Sequence, residues 1–149
     1  MNRTQKTLRQ MPASDDTQTE AFRHNRELRK LALNDDYLEL IADLIAKTGE
    51  ARTVDIAGCL GVAQPTVTKV VARLKREGLV MSEPYRAIYL TESGRAIAEK
   101  AKHRHQIIVS FLLALGVAPA IAEHDAEGIE HHVSAETLQA FVAFMDKAD

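Results

Sequence analysis

The chain has 149 residues, 46% of them apolar, a single cysteine and a formal net charge of -2. That length buries one sizeable core or two small ones, and a lone Cys59 excludes an internal disulfide. No apolar stretch approaches the roughly 20 residues that cross a bilayer, and MNRTQKTLRQMPASDD lacks the apolar core of a signal peptide, so a cytoplasmic protein with no membrane partner is expected.

Charge is not spread evenly. Between Glu50 and Arg104 ten basic residues face six acidic ones, whereas from His105 onward Lys147 stands alone against seven acidic residues. A basic middle and an acidic end suit a chain that meets a polyanion with one part and gathers cations with another; ordinary surface variation gives the same balance.

Residues 1–33 are expected to form an N-terminal arm, partly disordered. Positions 1 to 18 are polar, carry Pro12 and the run Ser14-Asp15-Asp16-Thr17, and show no sustained apolar period. Glu20 to Lys30 is charged enough for a solvated helix with Ala21, Leu28 and Leu31 as a narrow stripe. Asn34, followed by Asp35 and Asp36, is the residue type that caps a helix start, and Tyr37, Leu38, Ile41, Leu44 and Ile45 supply an apolar face up to Gly49.

A short helix is predicted over Thr53 to Leu60, with Val54, Ile56, Ala57 and Leu60 inward, Cys59 as a small core residue and Gly61 as the turn. Pro65 suits the first position of a following helix that runs to Glu77, with Val67, Val70, Val71 and Leu74 at core spacing and Gly78 as its stop. Leu79-Val80-Met81 and Ala87-Ile88-Tyr89-Leu90 flank Glu83-Pro84-Tyr85-Arg86 as a small hairpin. A long helix then opens at Thr91 and Glu92 and ends at Gly116, and two more follow, around Pro119 to His132 and Ser134 to Lys147.

Helix, turn, helix and hairpin in that order are the parts of a winged helix-turn-helix. The second helix of such a unit enters the major groove N-terminal end first, which here presents Gln64, Pro65, Thr66, Thr68 and Lys69. Gln64, Thr66 and Thr68 can meet base edges or phosphates. Lys69 and Arg73 offer phosphate contacts, Thr53 can touch phosphate from the first helix, and Arg86 at the wing tip can reach a neighbouring groove. Winged units also dock proteins, and Lys69 and Arg73 would then be a solvated face. The fold expected is mostly α: a winged helix-turn-helix DNA-binding domain with a small β-hairpin wing over residues 34–90, then an all-α dimerisation domain over 91–149.

Beyond the wing, Glu127-Gly128-Ile129-Glu130-His131-His132 sets Glu127, Glu130 and His131 at i, i+3 and i+4, on one helix face. Asp36 and Glu39 form a second pair three apart, and His105 lies on the long helix between them. Four carboxylates and two imidazoles suffice for two divalent cations with bridging carboxylates; the same spacing also describes the wet face of a helix. His103, His124 and His132 adjoin the set and read as solvated or supporting residues.

The ordered segments DDYLELI, VDIAGCLGVAQPTVTKVVARL, RHQIIVSFLLALGV and DAEGIEHH resemble the manganese transport regulators of the diphtheria toxin repressor family, over nearly all of Asn34 to Val133. The resemblance implies that Asp36, Glu39, His105, Glu127, Glu130 and His131 bind two metal ions per subunit, Mn2+ above all, with Fe2+, Co2+, Cd2+ or Zn2+ as substitutes. The family's iron-responsive branch has methionine where Asp36 stands and cysteine where Glu127 stands, and harder oxygen ligands suit manganese. Two departures are the arm of about thirty residues and a sequence that stops at Asp149, before the further C-terminal domain of longer members.

Resemblance implies, further, a homodimer joined through the C-terminal helices, for which Phe111, Leu112, Leu115, Val142 and Phe144 are available. The expected function is a manganese-responsive transcriptional regulator, a metal-activated homodimer on double-stranded operator DNA that represses manganese uptake genes, and not an enzyme. Two alternatives share parts of this pattern. A metal-independent or small-molecule-responsive winged-helix regulator would bind DNA regardless of chelation. A di-metal carboxylate enzyme would typically carry two Glu-x-x-His motifs, and here His131 follows Glu130 directly.

Overall fold

The computed structural model describes residues 15–148; of the polar stretch expected over residues 1 to 18, the first fourteen lie outside them and the last four are already helical. Helix α1 (Asp15–Thr48) runs unbroken for 34 residues, because the segment contains neither proline nor glycine until Gly49 takes a φ of +85°. This corrects the reading of Asn34 as a helix cap. Asn34 sits in mid-helix and is buried, and its side chain bonds to Arg73 and Glu77 rather than to its own backbone. The stretch expected as a separate solvated helix is the exposed first half of the same element, with Leu28 half-buried and Leu31 exposed.

Helices α2 (Thr53–Leu60) and α3 (Gln64–Arg76) follow as predicted. Gly61 joins them with a φ of +66° and donates its N–H to the Ala57 carbonyl. Only Ile56 and Ala57 of α2 are buried. Val54 and Leu60, predicted inward, are exposed, and so is Cys59; an eight-residue helix presents one narrow stripe to the core, and these three fall outside it. On α3 the four predicted positions Val67, Val70, Val71 and Leu74 are all buried.

The wing is shorter than its sequence pattern. Strands β1 (Val80–Met81) and β2 (Tyr89–Leu90) pair antiparallel in the register Val80 to Leu90 and Met81 to Tyr89, and Ile88 bridges to Ala51. At its tip the Arg86 N–H bonds to the Glu83 carbonyl at 3.2 Å, with Pro84 at the second position and Tyr85 at a φ of +63°. That is the φ requirement of a type II turn, met here by a tyrosine where glycine is usual.

Helix α4 (Glu92–Ala114) is capped by Thr91, whose hydroxyl accepts from the Gly94 N–H and donates to the Gly78 carbonyl at 2.7 Å. Gly94 is buried, and a Cβ there would run into the Leu79 carbonyl oxygen. The start of α4 can therefore press directly on the backbone leading into the wing. α4 packs against α1, against α5 (Pro119–Ile129) and against α6 (Ala135–Ala148). One core gathers Leu38 and Ile41 of α1, Ile56 of α2, the α3 stripe, and Leu79, Val80, Ile88 and Leu90 of the wing.

No residue of α6 is buried. Its Phe141 stacks on Phe111 of α4 with centroids 4.0 Å apart, and Phe144 meets Phe111 edge-on. Phe144 and Leu115 stay largely exposed, as do Leu113 and Ile121. Among the described residues no helix is long and apolar enough to cross a membrane.

Candidate metal centre and nucleic-acid interface

Three helices converge behind the DNA-reading unit. α1 brings Asp35, Asp36 and Glu39; α4 brings Arg104 and His105; the end of α5 and the turn after it bring Glu123, Glu127, Glu130 and His131. The helix predicted to reach His132 stops at Ile129. Glu130 nonetheless keeps helical angles (φ -57°, ψ -27°), with its N–H bonded to the Ala126 carbonyl. Glu127 and Glu130 thus stay one turn apart, and His131 turns toward α1.

Donor atoms of Asp36, Glu130 and His131 lie within 4.8 Å of one another. His131 Nε2 is 3.2 Å from Asp36 Oδ1 and 3.5 Å from Glu130 Oε1, while its Nδ1 is buried with no hydrogen-bond partner among the described residues. His105 bridges two carboxylates: Nδ1 is 2.7 Å from Glu130 Oε2 and Nε2 is 2.8 Å from Glu123 Oε2. Glu130 itself is only 4% exposed, a burial that a lone carboxylate does not tolerate without cationic or hydrogen-bonding partners.

The electrostatics record that crowding. Burial raises the Asp36 pKa, with His131 opposing and Glu127 and Asp35 adding to the rise. Glu39 is raised by burial and then by the field of Glu130, and Glu130 is raised by burial against the pull of His105. For His105 burial pulls downward, yet its hydrogen bonds to Glu123 and Glu130 and the charge of Glu127 together outweigh it, and the pKa lies above the ordinary 6.5. Of the six sequence-predicted residues, Asp36, Glu130 and His131 converge, His105 bonds to Glu130, and Glu39 and Glu127 are electrostatic neighbours of that group.

Three participants were missed from the sequence. Arg104 pairs with Asp35 at 3.5 Å and donates to the Glu130 carbonyl at 3.3 Å, pinning α1 to the turn after α5. Asp35 and Arg104 are chain neighbours of Asp36 and His105. Glu123 stands four residues before Glu127, the helical same-face spacing that could have revealed it. His103, His124 and His132 are exposed.

On the other side of the unit, Gln64, Pro65, Thr66, Thr68 and Lys69 are exposed along the first turns of α3. Thr68 returns its hydroxyl hydrogen to the Gln64 carbonyl at 3.1 Å. Thr53, Gln64, Thr68, Lys75, Tyr85 and Arg86 line a groove between the helix pair and the wing. Lys75 braces that groove by donating to the Ser82 carbonyl at 2.7 Å, and Arg86 is paired only at 3.6 Å with an exposed Glu83. Arg73 departs from expectation. Its guanidinium turns inward, donating to Asn34 Oδ1 at 2.6 Å and lying 3.8 Å from Glu77, so internal partners hold the charge that was expected to face phosphate.

Comparison with known proteins accords with both halves. Residues 32–88 match the family model described as iron dependent repressor, N-terminal DNA binding domain, and residues 91–149 match iron dependent repressor, metal binding and dimerisation domain. The chain is 52% identical over 134 residues to "Transcriptional regulator MntR" of Escherichia coli O157:H7, covering 90% of this chain and 86% of that one. It is 41% identical over 100 residues to "HTH-type transcriptional regulator MntR" of Geobacillus thermodenitrificans, covering 67% and 71%. Among solved structures, "Manganese-dependent transcriptional repressor complex with manganese" superposes with a TM-score of 0.68 at 29% identity, covering 76% of this chain and 52% of that one. "Structure of the manganese regulator SloR" gives 0.66 at 27%, covering 76% and 53%. The chain spans about half the length of these structures.

Proposed function

The chain belongs to the iron-dependent repressor family, and on that premise we propose that it is a manganese-responsive transcriptional repressor, a homodimer whose grip on operator DNA is switched on by divalent metal. The observation that carries the reading is the contact of Asp36 with His131. Asp36 belongs to the helix that supplies the DNA-binding core, and His131 to the dimerisation half. Whatever ties these two residues together ties the reading helix to the dimer.

The donor set fits a divalent cation. Asp36, Glu39 and Glu130 have pKa values raised first by burial and further by neighbouring carboxylates, and the His131 ring keeps a buried nitrogen without a partner among the described residues. Asp36, Glu39, His105, Glu127, Glu130 and His131 would hold the metal, two ions per chain. Oxygen-rich ligands suit Mn2+, while Fe2+, Co2+, Cd2+ and Zn2+ can enter the same site, so selectivity rests on geometry and supply. When bound, the metal supplies positive charge that relieves carboxylate repulsion and fixes α1 against the turn after α5.

The protein's own residues do the rest. Arg104 holds the Glu130 backbone against Asp35, Asn34 fastens the same stretch of α1 to α3, and apolar residues left exposed on α4 and α6 are available to a dimer surface. A palindromic operator needs two reading helices about one DNA turn, roughly 34 Å, apart. A linkage that restricts the domains favours that spacing over others. Gln64, Pro65, Thr66 and Thr68 would face bases, with Lys69, Thr53 and Arg86 on phosphates; the family's role as repressors sets aside an enzymatic reading. A cytoplasmic location and repression of manganese uptake genes accord with this function.

Operator binding measured across a series of divalent metals and with chelator tests the proposal, alongside the number of ions bound per chain. Affinity is expected to rise with manganese. Equal affinity with manganese and with chelator rejects it in favour of a metal-independent regulator.

A further inference from the structure

We propose that Glu123 is a positioning residue for metal binding: it accepts a hydrogen from His105 Nε2 and so leaves the Nδ1 lone pair turned toward the Asp36, Glu130 and His131 cluster. The inference rests on the metal-responsive function proposed above. It concerns a residue outside the six that sequence pattern and resemblance assign.

The two ring nitrogens of His105 face different surroundings. Nδ1 is 2.7 Å from Glu130 Oε2, and the other Glu130 oxygen lies 3.5 Å from His131 Nε2, so this edge of the ring looks into the cluster. Nε2 looks the other way, 2.8 Å from Glu123 Oε2, whose side chain is 62% exposed against 4% for Glu130. A carboxylate only accepts hydrogen bonds, and a neutral imidazole has one N–H to give. Given to Glu123, that hydrogen leaves the inner nitrogen free to ligate; given to Glu130, it occupies the inner nitrogen and the ring cannot ligate from there.

Glu123 is not itself within the group of converging donor atoms; the imidazole stands between it and Glu130. Its place is that of the outer carboxylate that fixes the tautomer and orientation of a ligating histidine and raises its basicity, a contribution that typically changes metal affinity by about 10- to 100-fold when removed. An exposed ion pair with no bearing on metal would instead leave affinity unchanged.

The test uses the full chain as wild type, E123A and E123Q. Manganese titration is followed by the electron paramagnetic resonance signal of the free ion, and the His105 tautomer in metal-free protein is read by nitrogen-15 NMR at alkaline pH. E123A is expected to weaken manganese binding by about 10- to 100-fold with the same number of ions at saturation. It is also expected to lower the share of the tautomer protonated at Nε2. E123Q keeps an acceptor without the charge, and its affinity is expected to fall between the two. Unchanged affinity and tautomer in E123A overturn the proposal, and so does the loss of one ion at saturation in both variants, which would make Glu123 a direct ligand. Wild-type protein that takes up no manganese overturns the functional reading itself, and the tautomer shift then decides separately whether Glu123 holds the ring.

Discussion

The amide oxygen of Asn34 lies 2.6 Å from an Arg73 guanidinium nitrogen, and the amide nitrogen of the same side chain donates at 3.1 Å to Glu77. Lys30 reaches Glu77 from the preceding turn of α1 at 3.6 Å. A buried amide thus fastens α1 to α3 two residues before Asp36.

Replacing Asn34 with alanine removes both bonds and leaves the Arg73 guanidinium partly desolvated. The expected loss is about 1–3 kcal/mol of unfolding free energy, because an orphaned polar group costs more than the bond it made. The midpoint of urea unfolding measures it; a shift within experimental error would show that the clasp contributes nothing.

Arg73 and Lys69 are expected to separate cleanly. Lys69→Ala should lower the slope of log operator affinity against log salt by about one phosphate contact, with stability nearly unchanged. Arg73→Ala should lower stability and leave the salt slope close to wild type, since internal partners hold the guanidinium. Equal slopes for both variants would return Arg73 to the DNA face.

Stability and metal binding should respond to pH in opposite directions. Asp36, Glu39 and Glu130 have folded pKa values above their ordinary 3.8 and 4.5, and His105 lies above 6.5. A raised folded pKa means that the native state binds protons more tightly than the unfolded chain. The stability these groups contribute is present below their ordinary pKa values and lost as pH rises through the folded ones. Metal-free protein should therefore lose thermal stability from the carboxylate range upward, with a further loss above 6.5 from His105. Manganese needs the deprotonated ligands, so the rise in Tm on adding it should grow over the same interval. Thermal melts with manganese and with chelator across this range check it, and a rise that shrinks with pH refutes the ligand assignment.

Gly94→Ala places a methyl group against the Leu79 carbonyl oxygen. An overpacked site of this kind costs about 1–3 kcal/mol, and because Thr91 ties the same junction to Gly78, the wing should loosen with it. Hydrogen exchange at Leu79 to Leu90 is the direct readout; unchanged protection would mean that α4 shifts freely.

Glu127→Cys replaces a hard oxygen ligand by a soft thiolate. The metal profile for operator binding is expected to move from manganese toward iron, cobalt or zinc. The same ranking of metals in variant and wild type would remove Glu127 from the ligand set.

Legibility in the sequence followed the range of the interaction. Val67, Val70, Val71 and Leu74 were readable because a 3.6-residue period is written directly into a helix, and Gly61, Gly78 and Gly116 marked turns through the positive φ that they adopt. Local spacing and family resemblance singled out Asp36, Glu130 and His131, whose donor atoms the fold brings together. Asn34 was misread because its cap chemistry is local while its partners Arg73 and Glu77 are some forty residues away. Val54, Leu60 and Cys59 were placed inside because hydrophobicity alone does not tell which side of a two-turn helix meets the core. Glu123 shares a helix face with Glu127 and was open to the same spacing argument, whereas the contacts of Arg104 with Asp35 and the Glu130 carbonyl depend on how α1, α4 and the turn after α5 pack, which no single-segment pattern records.

The pairing of Asp36 with His131 joins positions about 95 residues apart. An ion held by both residues binds the folded chain and not the unfolded one, so it stabilises the fold by mass action, in proportion to the logarithm of its concentration over its dissociation constant. At a metal concentration of about 100 times the dissociation constant that amounts to about 2.7 kcal/mol. A chain with one exposed cysteine has no disulfide of its own to do this. Metal would therefore act as a removable staple, and its supply would set the lifetime of the folded protein against proteolysis as well as the occupancy of DNA.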